Sequence, residues 1–559
     1  MMAYMLKRSV FMLFLAASAA CSQAPAEPQT VAEFPDMNVD RIMGDIRKLS
    51  SDEFEGRLPG TKGEQLTVEH LVAQFKQAGL EPGNPNGSWT QKVSLVGLTP
   101  QPTGLVVKKG GTSREFKPHA EVVGFSKHVA PAARIENSEL VFAGYGVQAP
   151  EFNWNDFGPL DIRGKTLIVL VNDPPVTKPD GTLDDKTFGG KAMTYYGRWT
   201  YKYEKAAELG AAGIFIVHET EPAGYAFNVV QGMGAERFDL VTPDKNMGRS
   251  AIEGWLSVEA ATELLKMAGQ DYQKLKSLAA TPDFKAIPLG MTATMGVTQK
   301  MRTIESDNVI AKLTGSDPAL KNEYVLYTAH WDHLGVRTTG DGDRINNGAL
   351  DNASGTALVL EMARAFKSLR TPPKRTMLFL MVTAEEQGLL GSQYYAEFPL
   401  YPLEKTLAVI NIDGVNQWGR TSDLTVVGLG ASELDDYART AATEQQRTLT
   451  PDPEAEKGFY YRSDHFNFAK KGVPAFYPDT GVHFVGKSAE YSQQKRDEYT
   501  KNDYHGPTDE VKPDWDLTGA ADDGKLLMAM GYRIANAAKY PEWRPGNEFR
   551  AIREKALGR

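Results

Sequence analysis

TMLFLMVTAEE, residues 376–386, runs through six consecutive apolar side chains and then ends in two carboxylates. The same pattern, an apolar run that stops at a His or a carboxylate, occurs in YVLYTAH at 324–330 and in TLAVINID at 406–413. Such runs are typical of strands buried on both faces of a parallel sheet. Because the carboxyl ends of these strands form the binding crevice of open α/β sheets, the polar residues are expected to meet there.

An α/β fold is indicated from residue 306 onward, where apolar strands alternate with amphipathic helices such as NASGTALVLEMARAFKSL at 352–369. This alternation predicts a mainly parallel twisted sheet covered by helices on both faces. A final helix is expected near 518–539. Residues 36–96 contain two amphipathic stretches and one alternating strand, so we expect them to form the front of the same domain.

Between residues 103 and 300 the pattern changes to short alternating strands with many Gly and Pro, which predicts an inserted β-rich module. Only RWTYKYEKAAELGAAG, at 198–213, indicates a convincing helix there. The predicted α/β domain therefore has two segments, 36–102 and 301–545, on either side of the insert.

Composition excludes several classes of protein. The chain of 559 residues is too long for one core, and its 41% hydrophobic and 24% charged residues are ordinary for a globular protein. The net charge of -9 provides no basic surface for a nucleic-acid partner. We therefore interpret the acidic residues as ligands and solvated surface.

Residues 1–21 have the charged start, the short apolar run VFMLFLAASAA and the small-residue end of an export signal. The alternative, a permanent transmembrane anchor, needs a longer apolar run. Cys21 is the only cysteine and lies at the end of this signal, which resembles a bacterial lipoprotein. The box Ser18-Ala19-Ala20 lacks the usual Leu, so simple cleavage to a free periplasmic protein stays open. Residues 22–35 predict a flexible tether.

Five side chains offer the donor atoms of a metal centre: His330, Asp351, Glu386, Asp413 and His505. Zinc takes imidazole nitrogen and carboxylate oxygen, and a catalytic site leaves one position for water. Two ions roughly 3.5–4 Å apart need a carboxylate that bridges them. Asp351 is suited to this role because it lies between the Gly-rich loop NNGALDNASG and the start of a helix.

Neighbouring residues complete the predicted site. Glu385 and Glu386 point in different directions at a strand end, so we assign Glu386 as ligand and Glu385 as general base. Asp332 and Asp509 are expected to accept the second ring N–H of His330 and His505. A structural interpretation exists for each: a lone His at a strand end is often only hydrogen-bonded, and a Glu pair there can be a charge cluster at a helix N-terminus. His333 is interpreted as structural.

The motifs resemble those of the secreted di-zinc aminopeptidases, a family that also contains glutamate carboxypeptidases and glutaminyl cyclases. The five motifs, in order, are AHWDHLG at 329–335, GALDNASG at 348–355, TAEEQGLLGS at 383–392, NIDGV at 411–415 and YHGPTDE at 504–510. The resemblance implies that His330 and Asp413 complete one zinc site, that Glu386 and His505 complete the other, and that Asp351 is shared. It also implies a cis peptide bond between Asp351 and Asn352.

Further segments extend the likeness. FEGRLPGTKG at 54–63 resembles the N-terminal signature of the family, and the insert resembles a protease-associated domain in LVFAGYGVQAP and YKYEKAAELGAAGIFIVHE. RSDHFNFAKKGVPAF at 462–476 resembles the segment that lines the substrate pocket. Ser463 and Asp464 are therefore candidate pocket residues, with a helix cap as the alternative role for Ser463.

The resemblance implies an exported zinc-dependent aminopeptidase with two zinc ions and a peptide substrate, in which Glu385 activates the attacking water. A carboxypeptidase of the glutamate carboxypeptidase type is the alternative within the same fold. Glutaminyl cyclase activity is disfavoured because members with that activity use a single zinc. From another class, the alternative is a non-catalytic receptor-like binding protein, against which the intact ligand set and Glu385 argue.

Overall fold

The computed structural model describes residues 30–231, 236–338 and 342–559. The predicted export signal, Cys21 and most of the predicted tether lie outside these residues. Within the described ranges, no helix has the length and apolar character that crossing a membrane requires.

The elements follow the chain from the N-terminal segment through the insert to the C-terminal segment. The N-terminal helices α1 and α2 and strands β1 and β2 are Val39–Leu49, Lys62–Gln77, Glu81–Pro82 and Thr90–Pro102. Strands β3 to β13 are Leu105–Lys109, Thr112–Phe116, Val122–Phe125, Ala132–Phe142, Gln148–Ala149, Trp154–Asn155, Thr166–Leu170, Gly213–His218, Arg237–Leu240, Ile252–Ser257 and Ile287–Leu313. Helices α3 to α7 are Trp199–Glu208, Thr220–Ala223, Phe227–Gln231, Val258–Met267 and Tyr272–Ala279.

The C-terminal segment contains the remaining strands and helices. Strands β14 to β21 are Tyr324–His330, Gly335–Val336, Ile345–Asn346, Thr376–Val382, Thr406–Asn411, Asp423–Val427, Thr448–Pro451 and Ala475–Asp479. Helices α8 to α14 are Gly355–Ser368, Leu390–Glu397, Leu434–Glu444, His465–Ala469, Tyr491–Asn502, Thr518–Asn536 and Arg550–Ala556.

The sheet of the α/β domain has the strand order β13, β17, β14, β18, β21, β19, β20. Its centre is parallel, because β14 pairs in parallel with β17 and β18, and β18 pairs in parallel with β21. Strands β13 and β19 each meet a neighbour in antiparallel fashion. One face is covered by a core that includes side chains of α8 and α13, and the other by residues of α9 and α11. The predicted mainly parallel α/β fold is confirmed.

The N-terminal segment packs into this domain. Ile46 of α1 and Phe75 of α2 lie in the same core as Val359 of α8. Arg57 lies between α1 and α2 and is fully buried. Its guanidinium group donates hydrogen bonds of 2.6–2.8 Å to four backbone carbonyls, those of Leu49, Trp331, Asn347 and Gly348. Two loops that carry predicted ligands are therefore held by an arginine from the front of the chain.

The insert joins the α/β domain through a continuous two-stranded ribbon. Strands β2 and β13 pair in antiparallel register from Thr90 opposite Val309 to Pro102 opposite Val297. The predicted boundary at 300/301 therefore lies inside strand β13, because the pairing of β13 with β2 continues across it without a turn. Within the insert, β6, β9, β10 and β12 form a parallel sheet, with β5 antiparallel at its edge.

The sequence prediction found only α3 convincing and missed the other insert helices, of which α6 and α7 are the longest. Helices α6 and α7 cover one face of the insert sheet, where Leu264 and Leu275 are buried. Each begins at a side-chain cap: Ser257 accepts from the backbone N–H of Ala260, and Asp271 accepts from that of Lys274. These caps were the local signal for the two helices.

The predicted limits of the domain are corrected at both ends. Val31 and Phe34 are each only 2% exposed, so the chain is already packed before the predicted end of the tether at residue 35. At the other end, Phe549 and Arg553 are buried beyond residue 545. Arg553 donates to the carbonyls of Leu403 and Thr406, which anchors α14 to the domain.

Candidate metal centre

Three parallel strands bring the predicted ligands to one edge of the sheet. His330, the last residue of β14, lies opposite Val382, the last residue of β17, and Thr328 lies opposite Asn411, the last residue of β18. The residues that follow β17 and β18 therefore reach the same place as His330. This is the carboxyl edge at which open α/β sheets form their sites.

The five predicted ligands form two groups that share Asp351. In the first group, His330 Nε2 lies 3.0 Å from Asp413 Oδ1 and 3.4 Å from Asp351 Oδ1. In the second, His505 Nε2 lies 3.1 Å from Glu386 Oε2 and 3.3 Å from Asp351 Oδ2. Asp351 thus presents one carboxylate oxygen to each group, as a bridging ligand must.

These separations fit zinc. Bonds of 2.0–2.1 Å at tetrahedral angles place two ligand atoms of one ion about 3.3 Å apart. The four contacts above, from 3.0 to 3.4 Å, lie close to that value. The donor set is imidazole nitrogen and carboxylate oxygen, which zinc prefers. The residues present can therefore hold two ions with Asp351 between them.

Carboxylates dominate the electrostatics of the centre. Burial works against the charged form of His505, but the carboxylates of Glu386 and Asp351 outweigh it and raise the His505 pKa to about 10. Burial raises the pKa of the Glu385 carboxyl well above its usual range, and the charges of Asp413 and Glu386 raise it further. Glu385 Oε2 lies 4.0 Å from His330 Nε2. Glu385 thus lies beside the ligands without belonging to either group of contacts.

Asn352 fixes the loop that carries Asp351, a role that the sequence analysis missed. The peptide bond between Asp351 and Asn352 is cis, as the resemblance implied. Asn352 Nδ2 donates to the carbonyl of Ile412, and its Oδ1 accepts from the backbone N–H groups of Gly355 and Gly414, all at 2.9 Å. The loop is therefore tied directly to the residues on either side of Asp413.

Asp332 has a different role from the one predicted. The backbone carbonyl of Asp332 lies 3.2 Å from His330 Nδ1, closer than its carboxylate at 3.7 Å. The carboxylate instead accepts from the backbone N–H groups of Glu385 and Glu386, at 3.0 and 3.3 Å. The turn after β14 directs the Asp332 side chain toward the residues that follow β17. Asp332 therefore holds the backbone of Glu385 and Glu386 in place.

Asp509 likewise holds backbone and not the ring of His505. Its carboxylate accepts from the N–H groups of Leu350 and Asp351, at 3.0 and 3.1 Å. His505 has a left-handed backbone with φ 56°, and its ring stacks on that of Tyr504 at 3.8 Å. The chain turns between His505 and Asp509, so the Asp509 side chain lies against the backbone of the loop that carries Asp351.

Ser463 and Asp464 lie behind a ligand and not on an open pocket wall. They are 1% and 0% exposed. The hydroxyl of Ser463 donates to Asp413 Oδ2 at 2.6 Å and accepts from Asn411 Nδ2 at 2.7 Å. Helix α11 has Asp464 at its cap position without a side-chain cap bond, so neither residue caps it. Ser463 thus supports Asp413, and both residues are buried away from any open pocket wall.

His333 is a site residue that the sequence analysis set aside as structural. The ring is fully buried, and Nδ1 lies 2.5 Å from Glu386 Oε1. Ligand-type atoms of His333, Asp351 and Glu386 all lie within 4.8 Å of one another. Its position three residues after His330, within the same motif, was the signal available in the sequence.

Comparison with known proteins identifies the C-terminal segment. Residues 308–529 match the model of peptidase family M28. Leucine aminopeptidase 2 of Arthroderma otae is 31% identical over 234 residues, which cover 40% of this chain and 43% of the relative. A probable zinc metalloprotease of Pyrenophora teres f. teres is 28% identical over 243 residues, 42% of this chain and 49% of the relative. The chain thus spans less than half the length of these curated relatives.

Among solved structures, the aminopeptidase from Aneurinibacillus sp. strain AM-1 is similar over 90% of this chain and 96% of its own, with 18% identity and a TM-score of 0.47. The match to the family model begins at residue 308, after the insert, so the resemblance of the insert to a protease-associated domain stays a prediction. The matched segment contains all five predicted ligands and Glu385. The segment 308–529 is therefore similar to peptidase family M28.

Proposed function

We propose that this protein is a zinc-dependent aminopeptidase that removes N-terminal residues from peptides. The observation that carries the proposal is the shared Asp351, which contacts His330 with one carboxylate oxygen and His505 with the other. The similarity to a leucine aminopeptidase and to a probable zinc metalloprotease supports the same activity.

Each group of residues has a separate task in peptide hydrolysis. Zinc ions held by the five ligands supply Lewis acidity, which polarises the scissile carbonyl and lowers the pKa of water. Glu385 takes a proton from the attacking water and delivers it to the leaving amine. Asp332 keeps Glu385 and Glu386 in their separate directions through their backbone N–H groups.

The order in which residues leave a peptide tests the proposal. A zinc-loaded full chain should release the N-terminal residue of an unblocked peptide first, followed by the second residue, as read by mass spectrometry over time. The same peptide with an acetylated amino group should stay intact, because an aminopeptidase requires the free amine.

The substrates should include one peptide with an acidic C-terminus. Release of that C-terminal residue from both the free and the acetylated peptide would instead establish a carboxypeptidase. No release at all from any peptide would contradict the enzymatic proposal and favour a receptor-like protein. Glu385→Gln protein from the same preparation serves as the control for contaminating peptidases.

We infer that the chain is exported, on the strength of the charged start and short apolar run in residues 1–21. Cys21 supports a lipid anchor in a bacterial envelope. Metabolic labelling with a radioactive fatty acid should label the wild-type chain and not Cys21→Ser. An unlabelled but processed wild-type chain would show a free periplasmic protein, and an unprocessed cytoplasmic chain would overturn export.

A further inference from the structure

His333 lies against a ligand without being one of the five. Its Nδ1 is 2.5 Å from Glu386 Oε1, whereas His505 Nε2 reaches the other oxygen, Oε2, at 3.1 Å. The two carboxylate oxygens of Glu386 therefore face different imidazole rings. His333 Nε2 is buried and has no hydrogen-bond partner among the described residues.

Distances separate the roles of the two histidines. Two atoms bound to the same zinc ion lie about 3.3 Å apart. The 2.5 Å contact of His333 is far too short for that and is instead a hydrogen bond between the ring nitrogen and the carboxylate. His505 also contacts Asp351 at 3.3 Å, while His333 forms no ion pair with Asp351 within 4.0 Å among the described residues. His505 thus fits the ligand position, and His333 fits a place behind Glu386.

The loop that carries Asp351 holds the His333 ring in place. Gly348 has φ 56°, and a Cβ atom added there would lie 2.6 Å from Cγ and Cδ2 of His333. The backbone of the loop therefore packs directly on the imidazole. Any residue larger than glycine at 348 would push the ring from Glu386.

We propose that His333 is a positioning residue, which donates Nδ1–H to Glu386 Oε1 and thereby leaves Oε2 free to bind the ion shared with His505 and Asp351. This rests on the proposed function in one respect, that the five ligands hold zinc. Hydrogen bonds to metal ligands fix their orientation, and their loss typically costs 10–100-fold in metal affinity. The effect should fall on the Glu386 site, because the ion pair of His333 is with Glu386, whereas His330 and Asp413 pair with each other.

Two substitutions test this role without relying on activity. His333→Phe keeps a flat ring but removes the donor, whereas His333→Asn places an amide N–H at the position of Nδ1, the same number of bonds from the backbone. Zinc affinities are measured by chelator competition on the purified full chain. His483→Phe, at an exposed histidine, is the matched control.

His333→Phe should bind one zinc ion with wild-type affinity and the other about 10–100-fold more weakly. His333→Asn should recover most of that loss, and the control should match the wild type. Two wild-type affinities in folded His333→Phe, or equal weakness of the Asn and Phe variants, would overturn the proposal. If His333→Phe does not fold, His333→Leu, which has the shape of asparagine but no donor, takes its place in the same comparison with His333→Asn. A wild-type chain without zinc would instead defeat the proposed function, so the two failures are distinguishable.

Discussion

Glu385→Gln is expected to lower kcat by about 10²–10⁴ while both zinc ions remain bound. The amide of glutamine has the same shape as the carboxylate but cannot accept a proton from water. Glu385 belongs to neither group of ligand contacts, so its loss should leave metal binding intact. Peptide turnover under saturating substrate and zinc content of the same sample provide the two readouts.

Glu386→Gln is the matched control, because it makes the same chemical change one residue further along. This variant should lose zinc from the site that it shares with His505, whose Nε2 lies 3.1 Å from Glu386 Oε2. If Glu385→Gln loses zinc and Glu386→Gln keeps it, the assignment of base and ligand within the pair is reversed.

Asp351→Ala should abolish high-affinity binding of both zinc ions and lower kcat/KM by about 10³-fold or more. One carboxylate supplies an oxygen to each group of ligands, so a single substitution damages both. Elemental analysis after gel filtration in metal-free buffer gives the zinc content, and circular dichroism confirms that the variant is folded.

Asp509→Asn is the companion variant, since Asp509 holds the Asp351 loop only through backbone N–H groups. It should weaken zinc binding about 10–100-fold and not abolish it. Retention of two tightly bound zinc ions by Asp351→Ala would show that the aspartate does not bridge them.

The convergence of His330, Glu386 and Asp413 could be predicted from sequence because each follows an apolar run. An apolar run such as β14 indicates a buried strand, and parallel pairing then brings His330 beside the residues that follow β17. The position of Asp351 was predictable from its Gly-rich loop before α8. These inferences need only the pattern of apolar residues along the chain and the rule that the carboxyl ends of parallel strands lie at the same edge of the sheet.

The partners behind the ligands could not be predicted in the same way, because they depend on how loops cross in space. Asp332 is two residues from His330, yet its carboxylate serves the backbone of Glu385 and Glu386 across the sheet edge. Asn352 reaches the residues around Asp413, which are about 60 positions away in the sequence. Spacing along the chain contains no information on such contacts.

The segment limits were misjudged for a similar reason. β13 crosses residue 300 as one uninterrupted strand, although the composition changes there, because its partner β2 continues beside it. Phe34 and Arg553 lie in stretches without periodicity, and only their burial in the folded chain shows that they belong to the domain.

The zinc content of the purified full-length chain tests the central claim most directly. After saturation with zinc and removal of unbound metal, elemental analysis should give two zinc ions per wild-type chain, because Asp351 joins two complete groups of ligands. One zinc ion per chain, or none, would contradict the shared centre on which the proposed activity rests.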